Sequence, residues 1–423
     1  MPANSTLLSS LRSCSYGGRA EPLSHVPQGW DEWHALNGNS VFYNYSMSVN
    51  GEVERHGDNY HDDYLPDLVT NRSLTFIEES VGKSEPFFLY ASTPAPHEPA
   101  DAAPQYQHLF QDLKAPRTPG WNHSTKGEER NYFVETSGLN GPMNESMVGY
   151  SDIMYRRRIQ ALQSVDEMLE RIFGILEKHD LVENTYVVYA SDNGFHLGQW
   201  GMALDKRLPY EHDTRVPLYA RGPGIAEGAE LSSFFALNID IFPTFLDMAG
   251  VKEVPKYIDG RSLLPHLLTP SSKAKPEPER EERVDFLIEY NGEGQEVFPF
   301  TGCPAYKGDA SWKGAYCHMV PMGPTGEFHL PPYYGMDPWC SCQDATNNTY
   351  SCVRILDIPR NRSEMYCEWD TGEIEMYDLI ADPWNMKNLK NSLDDDTRSK
   401  LSNRLDELRH CKGDLGCAKN YIM

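Results

Sequence analysis

Between Ser151 and His179 the apolar residues Tyr155, Ile159, Leu162, Val165, Leu169, Ile172 and Leu176 recur at three- and four-residue spacing. That period places them on one face of a helix. After a short connection, Asp180–Asn184, the run Thr185–Ala190 is continuously β-branched, aromatic or apolar and predicts a buried strand. Helix, turn and buried strand together predict half of a parallel α/β unit. The strand stops abruptly at Ser191-Asp192-Asn193-Gly194, and a second apolar strand, Val216–Ala220, follows a polar loop. Upstream, Leu65, Leu68, Val69, Phe76 and Ile77 predict a helix from Asp63 to about Glu79, and Phe87–Ala91 predicts another buried strand. Thr93-Pro94-Ala95-Pro96-His97-Glu98-Pro99 ends that strand, because each proline restricts its predecessor. Asp240 is a candidate N-cap for a helix over Ile241–Ala249, with Gly250 as its stop. Further on, strands are expected at Val284–Tyr290 and Glu375–Leu379, and a last helix at Asp396–Leu408. Residues 1–60 read as loop-rich, and 100–148 as a polar excursion over the site.

The 423 residues can bury a large core, and the pattern divides them into a domain over 1–270, a charged Pro-containing linker over 271–283, and a cysteine-rich subdomain over 284–423. With 62 acidic and 38 basic residues the formal charge is −24, which argues against a nucleic-acid binder. It does not exclude small anions, since a few cations in a cleft dominate locally. No apolar run approaches the roughly 20 residues of a membrane span. Sequons at Asn4, Asn44, Asn71, Asn122, Asn144, Asn347 and Asn361 suggest a glycoprotein. Cys14 stands apart, while Cys303, Cys317, Cys340, Cys342, Cys352, Cys367, Cys411 and Cys417 cluster late and suggest disulfides made in an oxidising compartment. Cys340-x-Cys342 has poor spacing for zinc. The body thus reads as exported, yet the first residues carry no signal peptide. The expectation is that the N-terminal part is missing.

Chemistry concentrates after the strand that ends at Ala190. Asp192 and Asn193 offer side-chain oxygens that suit a hard cation such as Ca²⁺ or Mg²⁺, or else form an Asx turn. In open α/β sheets ligands bind at the carboxyl ends of strands. Lys206 and Arg207 can grip a tetrahedral anion, or form a solvated pair with Glu211 or Asp213. His97 is a candidate general acid for a leaving oxygen, and His196 a candidate substrate contact or a plain loop histidine. Tyr210 and Glu211 read as positioning residues.

At these residues the chain resembles the sulfatase family, and within it the glucosamine-6-sulfatase branch. The resemblance runs from about His25-Val26-Pro27-Gln28-Gly29-Trp30 to the cysteine-rich end. It is carried by Ser191-Asp192-Asn193-Gly194-Phe195-His196-Leu197-Gly198-Gln199, by Asp205-Lys206-Arg207 through Tyr210-Glu211 to Arg215-Val216-Pro217, and by Thr93–Pro99. Asn238-Ile239-Asp240, Asp259-Gly260-Arg261, Glu289–Gly294, Asn347–Arg354 and Tyr377-Asp378-Leu379 also fit. The resemblance implies an alkaline-phosphatase-like α/β sandwich with a smaller C-terminal α+β subdomain. It implies one calcium ion on Asp192 and Asn193, sulfate binding by Lys206, and His97 acting at the leaving oxygen, and beside it His196 and Arg207 are taken as the further substrate-binding candidates. It also implies a formylglycine nucleophile made from the cysteine of Cys-x-Pro-Ser-Arg. No such motif is present: Cys14 lies in Ser13-Cys14-Ser15-Tyr16-Gly17-Gly18-Arg19. The family's early Asp-Asp ligands and lysine-histidine pair are absent too. The expectation is therefore a sulfuric ester hydrolase acting on sulfated glycosaminoglycans, lysosomal or secreted when intact. As written it is N-terminally incomplete, with half a calcium site, no nucleophile and no activity. An arylsulfatase for small sulfate esters and a non-catalytic sulfated-glycan-binding glycoprotein are the alternatives. A two-zinc phosphatase or phosphodiesterase is disfavoured by Asn193, where such sites prefer histidine.

Overall fold

The structure is a computed structural model that describes residues 6–10, 23–83, 85–123, 142–143, 145–202, 204–232, 234–251, 254–268, 283–292, 316–320, 339–344, 348–413 and 417; three of these segments, 6–10, 316–320 and 339–344, are described as backbone alone. Cys14, Cys303, the linker residues 271–282 and the sequons at Asn4, Asn144 and Asn347 lie outside the described residues. The chain groups into two compact units, residues 1–115 with 152–185, and residues 116–151 with 186–423.

The first unit holds a five-stranded sheet in the order β4-β3-β2-β1-β5. Its strands are β1 (Thr6–Ser10), β2 (Glu32–Leu36), β3 (Ser46–Val49), β4 (Glu52–Arg55) and β5 (Phe88–Ala91). β1 runs parallel to β2 and β5, while β2, β3 and β4 are antiparallel neighbours. Four of these strands lie in the region expected to be loop-rich. Their signal is short: Asn50-Gly51, both at positive φ, makes the two-residue turn that a β3–β4 hairpin requires. Helix α1 (Leu65–Val81) matches its expected span, buries Leu65, Val69, Phe76 and Ile77, and starts with Pro66 in its first turn. Helix α2 (Glu145–Lys178) begins six residues before the expected Ser151. Its buried stripe is Met154, Ala161, Val165, Met168, Ile172 and Leu176, whereas Tyr155, Ile159, Leu162 and Leu169 are only half-buried. Phe42, Tyr64, Ala103 and Ala161 form one core cluster, with the Tyr64 hydroxyl donating to the Asp101 carbonyl at 2.9 Å.

In the second unit, β6 (Val187–Ala190) pairs with β7 (Leu218–Arg221) in an antiparallel two-stranded ladder. The expectation of a buried strand in a parallel unit is thus corrected: every residue of β6 is half-buried, and its described partner is antiparallel. A continuous apolar run does not distinguish a central strand from a paired edge; neighbours decide that. Helix α3 (Glu211–Thr214) is a single turn, and α4 (Asn238–Met248) starts earlier than expected. Asp240 is its third residue rather than its cap, and its carboxylate accepts the Leu237 and Arg261 backbone N–H groups and a fork from Arg283.

The remaining sheet is antiparallel, in the order β13-β12-β11-β8, with β8 (Asp285–Tyr290), β11 (Tyr350–Asp357), β12 (Arg362–Trp369) and β13 (Ile374–Asp378). β9 (Tyr316–Val320) and β10 (Trp339–Asp344) form a separate hairpin. Period-two alternation gives the four-stranded sheet two apolar faces. Val353, Ile355, Tyr366 and Met376 pack on Leu401, Leu405 and Leu408 of helix α5 (Asp395–His410). Tyr350, Cys352, Met365, Cys367, Trp369 and Tyr377 pack on Trp200, Met202, Leu208 and Tyr210. Cys352 and Cys367 face each other in the β11–β12 register and are disulfide-bonded, and Cys411–Cys417 closes a second bridge. Among the described residues no helix is long and apolar enough to cross a membrane.

The fork between Arg404 of α5 and Asp285 of β8, at 2.8 Å on both nitrogens, is buried. Removing one partner strands a charge, so Arg404→Leu is expected to cost about 3–5 kcal/mol in urea unfolding. In the first unit, burial, reinforced by the Arg72 guanidinium, pushes the His34 imidazole down to about 4 from its ordinary 6.5. Between pH 6.5 and 4 the unfolded chain therefore binds a proton that the folded chain refuses. Stability is full above that window and falls as pH drops through it, by on the order of 1 kcal/mol per unit from this group. His34→Gln is expected to flatten that part of the curve of unfolding free energy against pH.

Candidate active site

The Asp192-Asn193-Gly194 turn leaves β6 and is held by what comes after it. Gly194 N–H and Phe195 N–H donate to the carbonyls of Asp213 and His212 at 2.8 and 2.9 Å. This approach explains the glycine: a Cβ at Gly194 would collide with the His212 carbonyl oxygen. Asn238, at the start of α4, donates its amide to the carbonyls of Ser191 and Asp192 at 3.0 and 3.2 Å. Asp192 is exposed, and its carboxylate accepts the Asn193 N–H at 2.9 Å. Asn193 spends its amide N–H on the Gly194 carbonyl at 2.7 Å, which leaves its side-chain oxygen pointing elsewhere as an acceptor. Two hard oxygens fit a divalent cation in kind, but calcium takes six to eight, so the pair supplies only part of a shell.

Lys206 is tied to this turn by a two-way backbone bridge, His196 N–H to Asp205 O at 2.8 Å and Asp205 N–H to His196 O at 3.1 Å. The loop is strained: Asp205 and Arg207, on either side of Lys206, have φ of 145° and 91°. Asp205 stabilises it by accepting Lys206 N–H and the Arg207 guanidinium, both at 2.8 Å. The Arg207 carbonyl in turn accepts from Asn348 and from the Tyr350 hydroxyl at 3.3 and 3.2 Å. Arg207 is thus engaged with Asp205, not with Glu211 or Asp213. Lys206 is half-buried and, among the described residues, has no carboxylate partner.

Below the loop, the Tyr210 and Tyr377 hydroxyls converge on the buried Glu375 carboxylate at 3.0 and 2.9 Å. Burial, followed by the Glu375 charge, drives the Tyr377 hydroxyl well above its ordinary value, which keeps it a donor. Glu211 receives Arg354 Nε of β11 at 2.9 Å. His196 is 1% exposed, and its Nδ1 lies 3.0 and 3.1 Å from the two Asp213 oxygens. Burial pushes the His212 imidazole down to about 4, with Asp213 pulling it up and His196 pushing it down. His97 belongs to the first unit, in the turn after β5, where its Nδ1 sits 2.6 Å from the Glu98 carbonyl. Asp213, His212, Asn238, Arg354 and Glu375 carry the site's framework; Asp213 enters the sequence reading only as a possible partner of Lys206 and Arg207, Asn238 and Arg354 only within matching segments, and no spacing gives any of the five its role.

The sulfatase family profile matches residues 19–251, and the chain belongs to the sulfatase family. N-acetylglucosamine-6-sulfatase of Bos taurus is 40% identical over 393 residues, which cover 92% of this chain and 63% of the relative. The chain thus spans less than two thirds of that relative's length. An extracellular sulfatase SULF-1 homolog of Drosophila melanogaster is 40% identical over 272 residues, 64% of this chain and 23% of the relative. A solved structure of a protein in complex with its substrate, D-glucosamine-2-N,6-O-disulfate, superposes with a TM-score of 0.63 at 21% identity, covering 94% of this chain and 83% of that one. The fold class is the alkaline-phosphatase-like α/β arrangement of sulfatases.

Gly194→Ala is expected to destabilise the second unit by roughly 2 kcal/mol or more, since backbone rather than a flexible side chain blocks the methyl. Chemical denaturation followed by tryptophan fluorescence measures it.

Proposed function

We propose that this chain belongs to a sulfuric ester hydrolase of the glucosamine-6-sulfatase type, whose substrate is 6-sulfated glucosamine in sulfated glycosaminoglycans, and that these 423 residues contribute its sulfate-binding groups but not its nucleophile. One observation carries the reading: the His196–Asp205 backbone bridge fastens the loop of Lys206 to the turn of Asp192 and Asn193. A cation and a pair of cation-binding oxygens are thereby held on two sides of one bridge, an arrangement suited to a sulfate group shared between an ammonium and a divalent ion. The 40% identity to the bovine N-acetylglucosamine-6-sulfatase supports the choice of substrate.

In this reading Lys206 binds a sulfate oxygen and the strained backbone around it holds the ammonium in place. Arg207, drawn to Asp205, keeps that loop closed and lends a positive edge to the sugar side. His196, being buried, contributes to substrate binding by fixing the turn. His97 serves at the leaving sugar oxygen, holding or releasing a proton there. Calcium, bound in part by Asp192 and Asn193, would neutralise charge on the sulfate. Formylglycine does not fit the residues present, because Cys-x-Pro-Ser-Arg does not occur among the 423. A glycoprotein of the lysosome or the extracellular space agrees with the two disulfides among the described residues and with the exposed sequon asparagines Asn44, Asn71 and Asn361.

These 423 residues are expected to bind glucosamine 6-sulfate saturably, to bind glucosamine at least tenfold more weakly, and to release no sulfate. Lys206→Ala is expected to weaken sulfated-sugar binding by about tenfold to a hundredfold, the 1.4–3 kcal/mol typical of a charge-assisted contact. Calorimetric titration with both sugars decides the matter, and equal affinity for the two would sink the reading.

A further inference from the structure

Next to the bridge lies a cluster of which the sulfatase reading uses only His196, and that one only to fix the turn. One donor atom from each of His196, His212 and Asp213 lies within 4.8 Å of the other two. His196 Nδ1 is 3.0 Å from Asp213 Oδ1, and His212 Nε2 is 3.5 Å from the same oxygen. A tetrahedral zinc ion with bonds of about 2.0–2.1 Å sets its donors about 3.3 Å apart, so two of the spacings are already those of a coordination shell. The third residue supports this reading. Among the described residues His212 Nε2 is buried and has no hydrogen-bond partner, although a carboxylate oxygen is its neighbour. Buried polar atoms are almost always satisfied, and a cation between the donors would satisfy this one.

The surroundings suit a bound ion. Asp213 Oδ2 accepts the Leu208 N–H at 3.1 Å, which orients the carboxylate and leaves Oδ1 turned to the two imidazoles. Trp200 and Tyr210 stand 4.9 and 5.9 Å from the His212 ring, centroid to centroid, and wall the cluster with aromatic carbon. Two imidazoles and one carboxylate favour a borderline transition metal, whereas calcium seeks an all-oxygen shell.

We propose that His196, His212 and Asp213 form a zinc-class site, with water in the fourth position, distinct from the oxygen donors Asp192 and Asn193. The ion would cross-link the Gly194–Leu197 segment to the Glu211–Thr214 turn, and so brace the loop that carries Lys206. This inference does not rest on the proposed enzymatic activity.

The test uses the 423-residue chain, stripped with chelator and kept in excess calcium. Titration with zinc ion alone, checked by elemental analysis, is expected to show saturable uptake of one zinc per chain. The same additions raise the unfolding temperature by roughly 5 °C at a hundredfold excess over the dissociation constant. Cobalt(II) in place of zinc is expected to give the intense visible band of a tetrahedral centre. His212→Phe, which keeps ring volume, weakens zinc uptake at least tenfold and abolishes the thermal shift, while Asp192→Ala retains both. The proposal is overturned if the parent chain takes up no zinc in the presence of calcium or shows no tetrahedral cobalt band. It is equally overturned if a folded His212→Phe chain binds zinc as tightly as the parent, or if Asp192→Ala loses the ion.

Discussion

The candidate site depends on one buried carboxylate. Asp213 is 4% exposed, and it faces His196, His212 and the Leu208 N–H, while its own carbonyl accepts the Gly194 N–H. An uncompensated carboxylate in that position would cost several kcal/mol, so its partners are obligatory rather than decorative. Satisfying them draws three stretches of chain together: the turn after β6, the loop before Tyr210, and the single turn of α3. The geometry of Asp192, Asn193 and Lys206 follows from that convergence.

The four-stranded sheet supplies the floor. Its face of Tyr350, Cys352, Met365, Cys367, Trp369 and Tyr377 packs on Trp200, Met202, Leu208 and Tyr210, which are the apolar side of the site loop. Polar ties then set its position on that floor: Tyr210 and Tyr377 to Glu375, Arg354 to Glu211, and Asn348 and Tyr350 to the Arg207 carbonyl. The apolar contact is non-directional and gives most of the stability, whereas the hydrogen bonds fix register. The strained φ values at Asp205 and Arg207 persist because both kinds of contact over-determine the loop. A sheet far along the chain thus holds a site formed by residues 191–213. The −24 overall charge does not exclude an anion beside Lys206, because a nearby cation outweighs distant surface charge.

Long periodic segments were legible in the sequence. The helices at Leu65–Val81 and Asp395–His410, and the strands at Phe88–Ala91, Asp285–Tyr290 and Ile374–Asp378, lie within a residue or two of their expected spans. Where local chemistry competes, the reading failed. Asp240 resembles a cap but serves as the third residue of α4, since its carboxylate gains more from Leu237, Arg261 and Arg283 together than from a cap alone. The Asn50-Gly51 hairpin was hidden by short strands whose stability comes from sheet neighbours.

What the sequence by itself determined is the family, the candidate chemistry of Asp192, Asn193, Lys206 and His97, and the helices with strong period. These are properties of residue identity and spacing, and both survive in one dimension. Only the tertiary structure decided that β6 is a half-buried strand paired antiparallel with β7, that Arg207 turns to Asp205, and that His196 and His212 share Asp213. Each of those depends on which groups remain unsatisfied once distant segments meet, and burial makes that accounting strict: a buried donor, acceptor or charge must find its partner wherever the fold places one.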